Sequence, residues 1–337
     1  MKIITTLLFT LSVFACGYAQ QTAKTGKWTV NKIHLQGDEK FDYLFSDDVS
    51  NRLYVSHGSI VQVVDEVKGV LAGTITGMNG VHGIAIAQGL GKGFITSGKD
   101  SSVTVFDTKT LGVITRMKIT GVGPDAILFD PFSQKVFVYN GKSNNATVID
   151  AKTNKIVATI TLPGKPEFSV TDGKGKVYVN MEDKSEIVLI NATTNAVEQV
   201  WPLAPGEEPS GLALDNESHR LFSACGNKLM VVVNALTGKV ITTLPIGENT
   251  DGAAFDPALK LAYSSNGDST MTIIKSDESG KFTIVDNLKT QSGAKTIAVN
   301  KLTHHVYLSA ASYEAPKDGQ KPKIIPGSFV VLEIIPD

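Results

Sequence analysis

Residues 124–165 read PDAILFDPFSQKVFVYNGKSNNATVIDAKTNKIVATITLPGK. An apolar run at 126–129 stops at Asp130 and Pro131, 135–139 reads as a second strand, 140–144 turns, and 146–150 and 156–162 alternate again. Four strands in about forty residues are the size of one propeller blade. The unit returns along the whole chain. Its first strands open at Asp42, His82, Asp125, Glu167, Ser210, Asp251 and Lys295, in steps of 40, 43, 42, 43, 41 and 44 residues. Such a period belongs to solenoids and propellers. No helical periodicity competes, so the sequence predicts an all-β, seven-bladed propeller of four-stranded blades.

Recurrence separates scaffold from site. Asp47, Asp130, Asp172, Asp215 and Asp256 return at the turn after the first strand, where an aspartate accepts hydrogen bonds from its own following backbone. They are read as turn formers. Gly83, Ala85, Gly211, Ala213, Gly252, Ala254 and Ala298 lie on first strands and are small enough for an axis on which seven chains converge. The seventh unit ends without a fourth strand, whereas residues 27–35 alternate ahead of the first unit and have no blade of their own. They are expected to form the outer strand of the last blade, closing the ring and removing an exposed edge.

Lys2, the apolar run at 3–15 and the small-residue site Gly17-Tyr18-Ala19 read as a secretory signal peptide cut after Ala19. Residues 20–337 then form one exported propeller domain, periplasmic or secreted. The alternative, lipidation at Cys16, meets a bulky Phe14 where a small residue is usual. The apolar run is too short for a transmembrane span. Its removal leaves Cys225 as a single thiol, so no disulfide holds the fold. Stability rests on a core, for which 42% hydrophobic residues suffice. A formal net charge of -1 gives no reason to approach nucleic acid or anionic lipid, and a monomer is expected.

The stretches Leu53-Tyr-Val-Ser56, Val136-Phe-Val-Tyr-Asn140, Val177-Tyr-Val-Asn180 and Val306-Tyr-Leu-Ser309, with the turn from Asp150 to Ile156, resemble the YVTN-type, YncE-like seven-bladed propellers of bacterial secreted and periplasmic proteins. The resemblance spans nearly the whole mature chain. It implies a ligand- or partner-binding scaffold without a shared catalytic set.

The residues that open the first strands break the internal symmetry that the turn aspartates obey. Each enters an axial strand, so Asp42, His82, Asp125, Glu167, Ser210, Asp251 and Lys295 are expected to ring one mouth of the channel. Loops between second and third strands open on the same face and add His57, Lys99, Asn140, Glu182, Asn227 and Asn266. Such a funnel suits a cation, a small polar ligand or a polar patch on a protein partner; a solvated rim without a ligand is the plainer alternative. A divalent cation in the central channel, with His57 or His82 as general base, would instead make a metal-assisted lactonase or lyase. Lys295 in the same ring competes with a metal.

The insertion at 311–327 lies between the last blade's second and third strands, over the same mouth, and brings Tyr313, Lys317, Lys321 and Lys323. It is read as a lid, a binding loop or a disordered excursion. Other chemistry fails on inspection. Gly89-Leu-Gly-Lys-Gly93 has no helix after it, and no Gly-x-Ser-x-Gly elbow, paired-cysteine zinc site or His-Glu-x-x-His occurs. Two tryptophans are too few for quinoprotein blade docking. The sequence therefore reads as an exported, non-enzymatic binding module that uses the channel mouth.

Overall fold

Seven antiparallel sheets hold the strands of the computed structural model, which describes residues 23–24, 27–277, 280–315 and 322–337. The leader at 1–19 with Cys16, and Lys317 and Lys321, lie outside the described residues. The third sheet matches the reading of its sequence strand for strand: Pro124–Asp130, Lys135–Asn140, Asn145–Asp150 and Lys155–Thr161. The inner strands of the seven sheets are Phe41–Asp47, Val81–Ala87, Pro124–Asp130, Pro166–Thr171, Pro209–Asp215, Thr250–Asp256 and Lys295–Val299. Each packs on the next, and the seventh packs on the first.

Closure follows the expectation. The seventh sheet takes Lys295–Val299, Val306–Ala310 and Val330–Pro336 from the C-terminal end and Trp28–His34 from the other, paired from Trp28 with Pro336 through His34 with Val330. A two-residue strand, Ala23–Lys24, adds outside it. The Trp28 ring also joins Leu261, Tyr263 and Ile273 of the sixth blade, and its Nε1 donates to Asp286 Oδ2 at 3.1 Å. The closing strand thus pairs with the seventh blade through its backbone and reaches the sixth through the Trp28 side chain.

The core sits between blades rather than at the axis, as where Phe137 and Val148 of the third meet Val177, Val179 and Val188 of the fourth. Inner strands approach closely enough to need glycine. A Cβ on Gly211 would lie 2.3 Å from the Ala253 nitrogen, and one on Gly83 would lie 2.8 Å from the Asp125 carbonyl oxygen.

The recurring aspartates form the expected turns and do more. Asp47, Asp130, Asp215 and Asp256 are buried and accept from the backbone of Val49 at 3.2 Å, Ser133 at 2.8 Å, Glu217 at 3.1 Å and Ala258 at 2.9 Å. Three of them also reach the next blade, Asp47 accepting from Gln88 Nε2, Asp130 from Thr171 Oγ1 at 2.6 Å, and Asp256 lying 2.7 Å from His304 Nδ1.

Every inner strand slips register beside the residue that opens it, as between Phe41 paired with His57 and Leu44 paired with Val55. A bulge re-aims the side chain it carries. In the first six blades the slip frees the residue just inside the strand's start, such as Asp42, His82 and Asp125, from cross-strand pairing, whereas in the seventh the mouth residue Lys295 opens the strand and pairs with Ser309. The described parts of 311–327 form a stem instead of an irregular loop: Tyr313 bridges Ile324, Glu314 N donates to Lys323 O at 2.8 Å and Ile325 N to Ser312 O at 2.8 Å.

Candidate functional site at the channel mouth

Ion pairs run around the mouth from blade to blade. Asp251 Oδ2 lies 3.5 Å from Lys295 Nζ, which lies 3.8 Å from Asp42 Oδ1. Asp42 Oδ2 is 2.6 Å from His82 Nδ1, itself 3.6 Å from Asp125 Oδ1. Lys165 Nζ sits 2.7 Å from Glu167 Oε1 and also pairs with Glu182. Ser210 is the exception to charge, donating through Oγ to Thr250 O at 3.1 Å and tying two blades together.

Burial and mutual repulsion both disfavour the ionised acids. Burial pushes Asp125 up to about 6, helped by Asp42 and opposed by His82 and Lys165. It also pushes Asp251 up to about 6, against Lys295 and with Asp42. Burial alone would lower His82, but the hydrogen bond to Asp42 and the charge of Asp125 outweigh it and the imidazole is held above its ordinary value. Lys295 is raised in the same way, burial being outweighed by Asp42 and Asp251. The Lys165–Glu167 pair pulls both ways. Burial and Asp125 raise the carboxyl of Glu167, whereas Glu167 and Glu182 favour the Lys165 ammonium against its burial. The 2.7 Å contact decides for an ionised pair at neutral pH, with Glu167 still protonating more readily than an ordinary glutamate.

Beneath the ring the walls turn apolar. The Tyr43 and Phe168 rings stand 5.7 Å apart and, with Phe45, Leu128, Leu212 and Leu214, line a cavity of about 360 Å³ whose far end is polar, at Asp48, Gln88, Asn216 and Lys301. Burial first, then Asp125, Glu167, Asp42 and Asp251, hold the Tyr43 phenol well above its ordinary value. A ligand at the mouth therefore meets charge on its rim and the Tyr43 and Phe168 rings beneath it.

The structure divides the expected site residues into two groups. Asp42, His82, Asp125, Glu167, Asp251 and Lys295 come together. Tyr313, 41% exposed, stands beside them, close to Gly293 and within the field of Lys295. His57 and Asn140 do not join them. They end second strands, pair with inner-strand residues ahead of the bulge, and face into the blade. His57 is 1% exposed, with Nδ1 3.1 Å from Gln62 Oε1, Nε2 3.0 Å from Glu39 O and its ring 4.1 Å from that of Phe329. Neither nitrogen is left for a metal or a substrate, which corrects its reading as a rim ligand and possible base. Asn140 is fully buried and donates to Asn145 Oδ1 at 2.8 Å and Thr147 Oγ1 at 3.1 Å; Asn266 repeats that bond with Thr272.

Two residues went unnoticed in the sequence. Lys165 stands two positions before its anchor, where three units carry Gly80, Gly123 and Gly293 but the first carries Lys40, so internal comparison alone does not single it out. Tyr43 follows Asp42 on an inner strand and reads as core; only the geometry places it under the ring.

Asp42, His82 and Asp125 each offer one ligand atom, all within 4.8 Å of one another. An oxygen-rich trio with one imidazole is a donor set that a divalent cation accepts, with the Lys295 ammonium next to it. Cys225 offers no nucleophile: it is buried, and burial pushes the thiol up to about 12.

No protein-family model matches the sequence, and no curated protein matches it. Solved structures do. "Crystal structure of RRP9 WD40 repeats" is similar at a TM-score of 0.78 and 8% identity, over 94% of this chain and 99% of that one. The chain has a WD40-like propeller fold. "Structure of U3-55K" gives 0.78 and 8% over 92% and 99%, and the Kuenenia stuttgartiensis hydrazine synthase gives 0.71 and 16% over 82% and 94%. At such identities the likeness is one of fold, and a propeller fold is consistent with a binding or interaction module.

Proposed function

We propose that the chain is an exported, YVTN-type binding module, working as a monomer, whose ligand sits in the channel mouth and presents positive charge or hydrogen-bond donors. One observation carries this reading. Among the described residues, Asp42, Asp125, Glu167, Glu182 and Asp251 form ion pairs only with Lys165, Lys295 and His82, above the Tyr43 and Phe168 rings. Burial first, then Asp42, holds Asp125 above its ordinary value, and burial holds Asp251 there against Lys295; a cationic ligand would favour the ionised form of both. Export rests on the leader-like residues 1–19.

A divalent cation held by Asp42, His82 and Asp125 is the second reading, favoured by their 4.8 Å clustering; it would support the lactonase or lyase alternative. Thermal melting separates the two. Small organic cations that raise Tm, with no response to calcium or magnesium, support the binding module. A response to calcium or magnesium that Asp125→Asn abolishes supports the metal. No response to either class contradicts both.

A further inference from the structure

Residues that break the internal symmetry also gather at the opposite end from the mouth, on the seam between the seventh and first blades. In three other blades the residue opening the second strand, Arg52, Lys92 or Lys135, crosses to the next blade and caps the turn between its third and fourth strands, whereas Arg220 bonds Ser218 O of its own blade at 2.7 Å and the sixth blade has Leu261 at that place. Lys92 Nζ meets Ala151 O at 3.1 Å, Lys152 O at 2.8 Å and Asn154 Oδ1 at 3.0 Å. Lys135 Nζ meets Ala192 O at 2.8 Å, Thr193 O at 3.0 Å and Asn195 Oδ1 at 2.9 Å. Arg52 reaches Thr108 O likewise. An ammonium against two carbonyls and an amide oxygen is a built feature of these seams.

In the seventh blade that position is His305, whose Nδ1 turns back to Glu333 Oε1 at 3.0 Å. The facing turn of the first blade carries Glu66 where the third, fourth and fifth have Ala151, Ala192 and Ala235, and Gly69 where two of them have Asn154 and Asn195. Glu333 replaces core residues such as Val148 and Leu189. The result is a groove of about 380 Å³ lined by Asn31, Glu66, Val67, His305, Tyr307 and Glu333.

Its acidic groups are buried, Glu66 at 6% and Glu333 at 5% exposure. Burial raises the Glu66 carboxyl even though Ser46 and Asn300 donate to it. Asn31 is 9% exposed; its Nδ2 donates to Glu333 Oε2 at 3.0 Å, and its Oδ1 is buried without a hydrogen bond. The Tyr307 hydroxyl is unsatisfied too, but Tyr54 and Tyr263 repeat that at the same place in their blades. The Asn31 oxygen belongs to this seam alone, since only the closing strand supplies it. A buried acceptor without a donor is costly.

We propose that this seam groove binds the organic cation of a small ligand, a primary ammonium or a guanidinium, in the place that the Lys92 and Lys135 ammonium groups hold in their own seams. The acceptors are the Glu66 and Val67 carbonyls, equivalent to those that Lys92 uses, together with Asn31 Oδ1 and the field of Glu66 and Glu333. Directional N–H donors suit it better than a bare metal ion. Both Glu66 oxygens are engaged, by Ser46 at 2.7 Å and Asn300 at 2.5 Å, and both Glu333 oxygens by His305 and Asn31. The proposal is independent of the mouth.

The test is a titration of isotope-labelled protein with n-butylammonium, with methylguanidinium and, as a cation lacking N–H donors, with tetramethylammonium. The first two are expected to shift the backbone amides of residues 31, 66–69 and 305–307, and the third to leave them in place. His305→Lys should restore the internal cap, raise Tm and abolish the shifts. Glu66→Ala, the residue other blades carry, should weaken binding about tenfold, and the mouth variant Asp125→Asn should leave it unchanged. Shifts confined to residues 42, 82 and 125, shifts that persist in both seam variants, equal shifts with tetramethylammonium, or no shift at millimolar probe would each overturn the proposal.

Discussion

His82 Nδ1 lies 2.6 Å from Asp42 Oδ2, a contact between two blades, and the other oxygen of the same aspartate lies 3.8 Å from Lys295 Nζ on a third. The first blade is therefore held at the mouth from both sides, beside the seam where the ring closes. Charge balance at the site and closure of the fold share residues.

Replacing Lys295 with Met leaves Asp42 and Asp251 with one cation fewer. The fold should lose roughly 1–2 kcal/mol, the scale of a charged hydrogen bond at a partly open site, and affinity for added cations should rise. Melting of parent and variant with and without calcium checks both. Unchanged stability together with unchanged cation response would mean that Lys295 does not neutralise the ring.

Deleting 27–35 removes the strand that pairs with Val330–Pro336 and exposes that edge. It also removes the buried Trp28, Ile33 and Leu35, together worth about 5 kcal/mol or more by area burial. Aggregation or a large fall in Tm is expected. A truncated protein that melts with the parent would refute closure by this strand.

The acid ring also fixes a pH dependence. Asp125 and Asp251 have folded values of about 6, above their ordinary unfolded values, so between roughly pH 4 and 6 the folded state binds more protons and stability falls as pH rises. His82 is raised as well; its contribution is complete below its unfolded value and is lost as pH rises through the folded one. Both slopes have the same sign. Asp125→Asn should flatten the fall of Tm across pH 4 to 7, and an unaltered profile would remove Asp125 from the ring's electrostatics.

Gly211→Ala puts a Cβ 2.3 Å from the Ala253 nitrogen of the next inner strand and should cost about 1–3 kcal/mol as overpacking. Gly89→Ala, with nothing within 4 Å, should stay within about 0.5 kcal/mol of the parent. Equal effects in urea unfolding would show that the axial glycines do not set the blade spacing.

The fold was legible because strand alternation repeats seven times and the turn aspartate five times, so no single ambiguous stretch such as 126–129 had to decide it. The ring was legible through the failure of symmetry at Asp42, His82 and Asp125. His57 and Asn140 misled because loop position does not reveal side-chain direction, which the register slip between Phe41 and Leu44 sets. Tyr43 was hidden because a tyrosine on an axial strand looks like any core residue. The seam residues Glu66, His305 and Glu333 break symmetry as plainly as the ring does. They emerge only when the repeat is compared at the turns and buried third strands as well as at the anchors.

Native mass spectrometry with elemental analysis, on the parent and on Asp42→Asn combined with Asp125→Asn, tests the channel-mouth reading most directly. The account predicts that the parent carries a small cationic or hydrogen-bond-donating ligand that the double variant has lost while its fold remains. A parent whose mass is that of the bare chain, or a ligand retained equally by the variant, would contradict it.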